Sequence, residues 1–425
     1  MRLTEEEKAM LDGKQGLAVQ KAMELLVKYG EVVGAENLVD TNSVSAGIRA
    51  VKSPVADPDI DPFDAYFCEF HLDSQEVFPI PRVKASSCTI LQQLDPKCWQ
   101  IQGAQREAYE LAVEIEKNCC RIGFAPAYTC APYLVGYVPV KGQHCAWMES
   151  SAVPICNSVF GGRTNTEGFE SAGAAMLTGK IPNWGYHLDE NRLGHYLVEV
   201  ECDIKSCVDW GLLGYHTGWI VQEKIPVFNG IIHQPELRGL MVCSAAGASS
   251  GGVEMFHIVG TTPEAHTLSM AFGDRKPENT IKFGHRERQE AYEMLQTASC
   301  TSVDFVMLGC PHYSLEELWR ISIMLEGKRI NSGTSLWIFT PRAIKAMADS
   351  AGYTEIIEKA GGYVMTDTCS SVAQIAPEGA KTAATDSPKQ AHHIHSMMDL
   401  PTWYGSMEDC VNAALTGKWE GKPSL

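Results

Sequence analysis

The chain has no C-x-x-C pair, although it carries 15 cysteines in 425 residues. Two thiols at that spacing close on one ion or on each other, so a zinc ribbon and a thioredoxin-type site are both excluded. No stretch approaches the roughly 18 consecutive apolar residues of a membrane span. Basic runs are missing too: 35 Lys and Arg stand against 52 Asp and Glu, a formal net charge of −17. Such a chain repels nucleic acid and anionic membrane, whose phosphates require clustered cations. An anionic substrate would need a local basic site. The opening Met1-Arg2-Leu3-Thr4-Glu5-Glu6-Glu7 lacks the apolar core of a secretory signal. A cytoplasmic protein is therefore expected, and the reducing cytosol keeps its cysteines as thiols. The Gly-rich run Gly247-Ala248-Ser249-Ser250-Gly251-Gly252 has neither the G-x-G-x-x-G spacing nor the P-loop lysine, and reads as a tight packing turn. Repeats and low-complexity tracts are absent.

What is present describes a folded chain too long for one ordinary core. The hydrophobic fraction is 45% and the charged fraction 20%, so two or three packed subdomains are expected. We divide it into a helical and loop region (1–121), a loop-rich central subdomain (122–295) and a C-terminal α/β subdomain (296–425). Thr4 and Glu7 form a capping box before a helical apolar pattern reaching Gly34. Pro54, Pro58 and Pro62 mark a loop, and residues 103–121 read as a second long helix. Beyond 302, short apolar strands at Val303–Leu308, Ser335–Thr340 and Gly361–Thr366 alternate with helices opened by Ser314 and Pro341. Alternation of this kind predicts a parallel sheet. The tail after 418 reads as loose.

Cys310 and Cys369 each follow one of these strands, and ligands collect at the carboxyl ends of strands in open α/β sheets. Cys130, held on a loop by Pro132, is the third candidate. Thiolates from separate loops can hold an iron–sulfur cluster without a local motif. His312, two residues after Cys310, is a candidate ligand, acid/base or hydrogen-bonding group. The densest run of neutral donors is Glu149-Ser150-Ser151 followed by Asn157-Ser158 and Arg163-Thr164. Arg163 offers a planar fork to a carboxylate or phosphate, so this run is read as a substrate-binding loop. Ser387 and Lys389 open a helix with Pro388 at its first position. A Ser beside a Lys is a candidate base or oxyanion donor, and a helix start binds anions.

Read in order, several segments resemble aconitase X, the outlying branch of the aconitase superfamily. They are Leu3-Thr4-Glu5-Glu6-Glu7, Thr129-Cys130-Ala131-Pro132-Tyr133-Leu134, Ala146-Trp147-Met148-Glu149-Ser150-Ser151-Ala152, Asn157 to Asn165, Gly260-Thr261-Thr262-Pro263-Glu264-Ala265, Gly309-Cys310-Pro311-His312, Thr366-Asp367-Thr368-Cys369 and Thr385-Asp386-Ser387-Pro388-Lys389. The resemblance implies an aconitase-like α/β fold in several subdomains with parallel sheets. It also implies an iron–sulfur cluster on three cysteines, here Cys130, Cys310 and Cys369, with Cys88, Cys145 and Cys156 as rivals for the first. The implied activity is a hydro-lyase that dehydrates a small hydroxy acid, of the cis-3-hydroxy-L-proline type first and mevalonate 5-phosphate as the alternative. Ser387, Lys389 and His312 are the catalytic candidates. Ser43, Ser150, Ser151, Asn157, Ser158, Arg163 and Thr164 are the substrate-binding ones. A separate small swivelling subunit is the implied partner, giving a heterodimer. One departure stands out: Val44, in Asn42-Ser43-Val44-Ser45-Ala46-Gly47, occupies the place of a histidine common in relatives. It supports a further alternative, a noncatalytic scaffold subunit.

Overall fold

The computed structural model describes residues 1–47, 80–92 and 94–421. The loop expected at 52–62, and most of the poorly matching segment 52–100, lie outside the described residues. Within them the chain is α/β, as expected, and three of its four sheets are parallel throughout.

The opening segment forms two helices, Glu5–Leu11 and Leu17–Val32, where the apolar spacing suggested one. Thr4 and Glu7 do close a capping box. The interruption comes from Gly13 and Gly16, whose φ values of 76° and 98° only glycine adopts without strain. Five short strands follow: β1 (Leu38–Asp40), β2 (Val44–Ala46), β3 (Ser87–Thr89), β4 (Ala146–Trp147) and β5 (Lys180–Pro182). β2 is central, with β3 and β4 parallel on either side, while β1 pairs antiparallel with β5. Val44 lies fully buried in this first core beside Met23, Leu26 and Ala175. Its side chain brings nothing polar to that position.

The second sheet holds β6 (Tyr196–Val200), β7 (Pro226–Asn229), β8 (His257–Ile258) and β9 (Asn279–Phe283) in the order β8-β7-β6-β9. Against it pack two helices, Cys207–Val221 and Leu237–Gly251. The Gly-rich run is therefore not a turn. It forms the last turns of the second helix, with Gly252 as its left-handed cap. The reason is close packing: a Cβ on Gly251 would lie 1.8 Å from the Gly218 carbonyl oxygen, and one on Gly214 would lie 2.3 Å from that of Cys243. Neither backbone can retreat. Gly214→Ala is expected to cost about 3 kcal/mol, the upper end for overpacking. The check is a lowered denaturant midpoint at unchanged slope; a midpoint within error of wild type would refute the packing argument.

The third sheet holds β10 (Phe305–Leu308), β11 (Ser335–Phe339), β12 (Tyr363–Met365), β13 (Ala383–Thr385) and β14 (Thr402–Tyr404) in the order β12-β11-β10-β13-β14. Every residue of β10 is buried, because helices cover both faces of a parallel sheet. The chain winds outward through β11 and β12, then returns to the other side of β10 with β13. The switch point thus lies between β10 and β13, where a crevice opens above the strand ends. At the C-terminus, Trp419 corrects the loose-tail expectation: it is buried and stacks on Trp403 at 5.9 Å. Residues 422–425 lie outside the described residues.

One buried group marks a weakness in the fold. Neither carboxyl oxygen of Glu167 has a hydrogen-bond partner. Burial pushes its carboxyl up from 4.5 to about 7, and nearby Glu254 adds to the rise. The folded chain thus holds this proton more tightly than the unfolded one. That advantage is complete below pH 4.5 and is lost as pH rises through 7. Glu167→Gln is expected to stabilise the protein at pH 8 by about 3 kcal/mol and to change little at pH 4.5. Thermal melts at the two pH values check this, and a lower melting point at pH 8 would refute it.

Candidate active site

Three loops meet above the third sheet. The first leaves β10 through Gly309, whose φ is 93° and whose Cβ would sit 2.1 Å from the Phe339 carbonyl oxygen. Only glycine lets the chain pass the end of β11 this closely, and the turn delivers Cys310 and His312 to the crevice. The second leaves β12 through Asp367, at φ 71° and fixed by the Arg342 guanidinium, whose Nε donates to it at 3.0 Å. It delivers Cys369 as the N-cap of a short helix, Ser370–Ala373. The third carries Thr129 and Cys130 and ends in a 3-10 turn, Pro132–Val135.

His312 ties the three loops together. Its amide N–H donates to Cys130 Sγ at 3.3 Å, and its Nε2 lies 3.0 Å from the Thr368 carbonyl oxygen. A carbonyl only accepts, so Nε2 carries the hydrogen. Nδ1 of the neutral ring then accepts from the Thr129 hydroxyl at 3.0 Å. The ring is fully buried, and burial lowers its pKa to about 4. It is a neutral tether with both nitrogens engaged.

Cys130, Cys310 and Cys369 are 6%, 5% and 5% exposed, so all three residues are buried. Each lies within electrostatic reach of another of the three. Burial pushes all three up, Cys369 to about 12. Alone they stay protonated, and a bound metal is what removes such protons. Cys310 is eased most, by the Lys389 ammonium and by the neighbouring Ser387 side chain. Among the described residues no group of three or more His, Cys, Asp or Glu is arranged to hold a single metal ion. A cluster spreads its ligands over more than one iron, so it does not require all three thiols on a single ion. The surroundings suit a cluster: the hydroxyls of Tyr133, Thr368 and Ser370 are buried without partners, and they are donors of the kind that cluster sulfurs accept.

Lys389 stands in the first turn of the Pro388–Met398 helix, which Ser387 caps by accepting the Gln390 amide at 3.2 Å. Its Nζ donates to Glu149 Oε1 at 2.8 Å and to Ser150 Oγ at 3.0 Å. The Ser151 hydroxyl donates to the same carboxylate at 3.1 Å. Burial alone would raise the Glu149 carboxyl, but the Lys389 charge and hydrogen bond, together with the Ser151 amide and hydroxyl, outweigh it and hold it below the usual range. The same carboxylate keeps the lysine protonated against burial. Glu149 lies within electrostatic reach of all three thiols.

The structure therefore brings together Cys130, Cys310, Cys369, His312, Ser387, Lys389, Ser150 and Ser151. The other residues singled out are engaged by the protein itself. Asn157 bonds the backbone of Thr164 and Glu254, and Ser158 accepts the Phe256 amide at 2.8 Å. Thr164 accepts the Trp147 amide and Ser43 the Trp147 indole. Arg163 donates to the His187 carbonyl and pairs with Asp189. Cys145 and Cys156 lie against each other, and Cys88 is fully buried in β3 beside Ser45. Sequence reasoning passed over Glu149 as the lysine's partner, Thr129 as the histidine's, and Arg238, which donates to the Pro311 carbonyl at 2.8 Å. Glu149 headed the polar run, so charge next to a donor cluster was its only local signal.

Three domain descriptions match the chain: Aconitase X first domain over residues 1–190, second domain over 194–293 and third domain over 303–416. The phosphomevalonate dehydratase large subunit of Methanothermobacter thermautotrophicus is 36% identical over 94% of this chain and 95% of its own. The cis-3-hydroxy-L-proline dehydratase of Pseudomonas aeruginosa is 32% identical over 98% of this chain and 70% of its own. The crystal structure of aconitase X from Thermococcus kodakaraensis, in its holo-form, superposes with a TM-score of 0.81 at 32% identity, covering 97% of this chain and all of that one.

Proposed function

The chain belongs to the aconitase X family, whose curated relatives are dehydratases, and on that premise we propose that it is the cluster-binding large subunit of a hydro-lyase removing water from a small β-hydroxy carboxylic acid. The observation that carries this reading is the His312 tether, which draws the loops of Cys130, Cys310 and Cys369 together beside the Glu149–Lys389 pair. Those three cysteines would hold the iron–sulfur cluster, which when bound supplies a Lewis acid for the departing hydroxyl.

The remaining work falls to the chain. The Lys389 ammonium, held charged by Glu149, anchors the substrate carboxylate with help from the Ser150 hydroxyl. This answers the need for a local cation in a chain of net charge −17. Thr129 and His312 fix the loops. Ser387 remains a candidate for moving a proton, with its hydroxyl at Cys310. A separate small swivelling subunit closes the cleft and adds a serine-rich loop. The site lies in the cytoplasm, and among the described residues no helix is long and apolar enough to cross a membrane.

The first substrate is cis-3-hydroxy-L-proline. The second reading is mevalonate 5-phosphate, favoured by 36% identity to a large subunit matched over 95% of its length. Both carry a hydroxyl β to a carboxylate, so one site chemistry serves either. The test is the chain co-purified with its small subunit under nitrogen and offered each compound. A brown, iron- and sulfide-containing complex that dehydrates one of them is expected. An iron-free complex, or one inert to both, would overturn the reading.

A further inference from the structure

Arg238 sits at the start of the Leu237–Gly251 helix, which packs with the second sheet, yet its side chain ends in the crevice of the third. Its residue is 9% exposed. Nη1–H donates to the Pro311 carbonyl oxygen at 2.8 Å, directly between Cys310 and His312. The guanidinium lies 4.7 Å over the Tyr313 ring, and the Tyr313 hydroxyl donates to Asp386 Oδ2 at 2.5 Å. Arg238 Nη2 stands 3.7 Å from that same oxygen, and Nε stands 3.9 Å from Glu317. Asp386 in turn precedes Ser387, which neighbours the Cys310 thiol. One cation thus grips both strand ends that flank the switch point, the turn after β10 and the turn after β13.

A purely structural account fits this poorly. Burying a guanidinium with two carboxylates costs several kcal/mol of hydration, and apolar side chains of the same volume generally serve stability as well or better. What an apolar side chain lacks is direction. The planar fork fixes the Pro311 carbonyl, and with it the Pro311–His312 peptide one residue beyond Cys310. Groups that orient a metal ligand from behind typically change affinity or activity by 10–100-fold when removed.

We propose that Arg238 is a positioning residue that sets the Cys310 turn against the Ser387 turn, so that Cys310 presents its sulfur to the cluster in one orientation. This rests on the reading that Cys310 holds the cluster. It adds a demand that the central part of the chain be docked before the C-terminal turn is competent.

The test compares wild type, Arg238→Lys, Arg238→Met and Tyr313→Phe, each as the anaerobic complex with the small subunit. Iron and sulfide content, the visible and reduced EPR spectra, kcat and KM are measured on each. Arg238→Met is expected to lower kcat roughly 10–100-fold with little change in KM, to shift the EPR spectrum and to lower iron content. Arg238→Lys keeps the charge without the fork and is expected to recover only part. Should Arg238→Met fail to fold, Tyr313→Phe removes only the hydroxyl on Asp386 and is expected to shift the spectrum in the same direction. Wild-type spectra and kcat in Arg238→Lys and Tyr313→Phe would overturn the proposal. So would a change confined to KM, which would make Arg238 a substrate anchor. An iron-free wild-type complex would instead remove the functional reading and this inference together.

Discussion

Cys369→Ser is expected to strip iron from the chain and to lower kcat by at least about 10³-fold, because the several kcal/mol that a Lewis acid supplies to the departing hydroxyl go with it. Serine nearly matches cysteine in volume, so the fold should survive. The hard alcohol is a poor ligand for iron, and at neutral pH it does not give up its proton. Cys369 is buried as the N-cap of its short helix, and its thiol is pushed up to about 12, so a bound metal must itself displace the proton. Cys88→Ser is the control. That thiol is fully buried in β3 and is likewise raised to about 12, but it lies beside Ser45. Burial and a shifted thiol are common to both, and only one belongs to the three-loop site. Iron, sulfide and turnover measured on the pair separate the readings. Loss of iron in Cys88→Ser with retention in Cys369→Ser would move the cluster elsewhere and sink the assignment.

That a control is needed at all reflects what the sequence makes visible. The strand–loop–cysteine pattern at Cys310 and Cys369 was legible, because parallel β-strands announce themselves as short apolar runs and the following residues must stand at their carboxyl ends. The caps at Thr4, Ser314 and Ser387 were legible for the same local reason. The contacts that make these residues a site span long stretches of chain. Lys389 reaches Glu149 across 240 positions, and His312 reaches Thr129 across 183. Periodicity cannot report such pairings. It also misread Gly247 to Gly252, since glycines that allow two helices to touch look the same in sequence as glycines that turn the chain. The polar run from Asn157 to Thr164 shows an ambiguity of another kind. Neutral donors in a loop-rich stretch look available for a ligand, yet irregular backbone needs such side chains to satisfy its own amides.

The Glu149–Lys389 pair is where stability and chemistry can be told apart. Lys389→Met is expected to reduce kcat/KM by about 10³-fold, through loss of a buried carboxylate anchor worth several kcal/mol. It also strands Glu149 without its cation, and an uncompensated buried charge costs about 3–5 kcal/mol. Glu149→Gln errs the other way, leaving the ammonium unmatched. The double variant Lys389→Met/Glu149→Gln removes both charges and should recover most of the stability lost by either single change, with activity still absent. The pH dependence follows from the same pair. Glu149 is held below its usual value of 4.5, so its contribution is complete above pH 4.5 and is lost as pH falls through the depressed value. Melts of the double variant should lack that acid-side loss. If the double variant stayed as unstable as Lys389→Met, the pair would not be coupled. If Lys389→Met turned over substrate at the wild-type rate, the anion in this site would be bound by something other than Lys389.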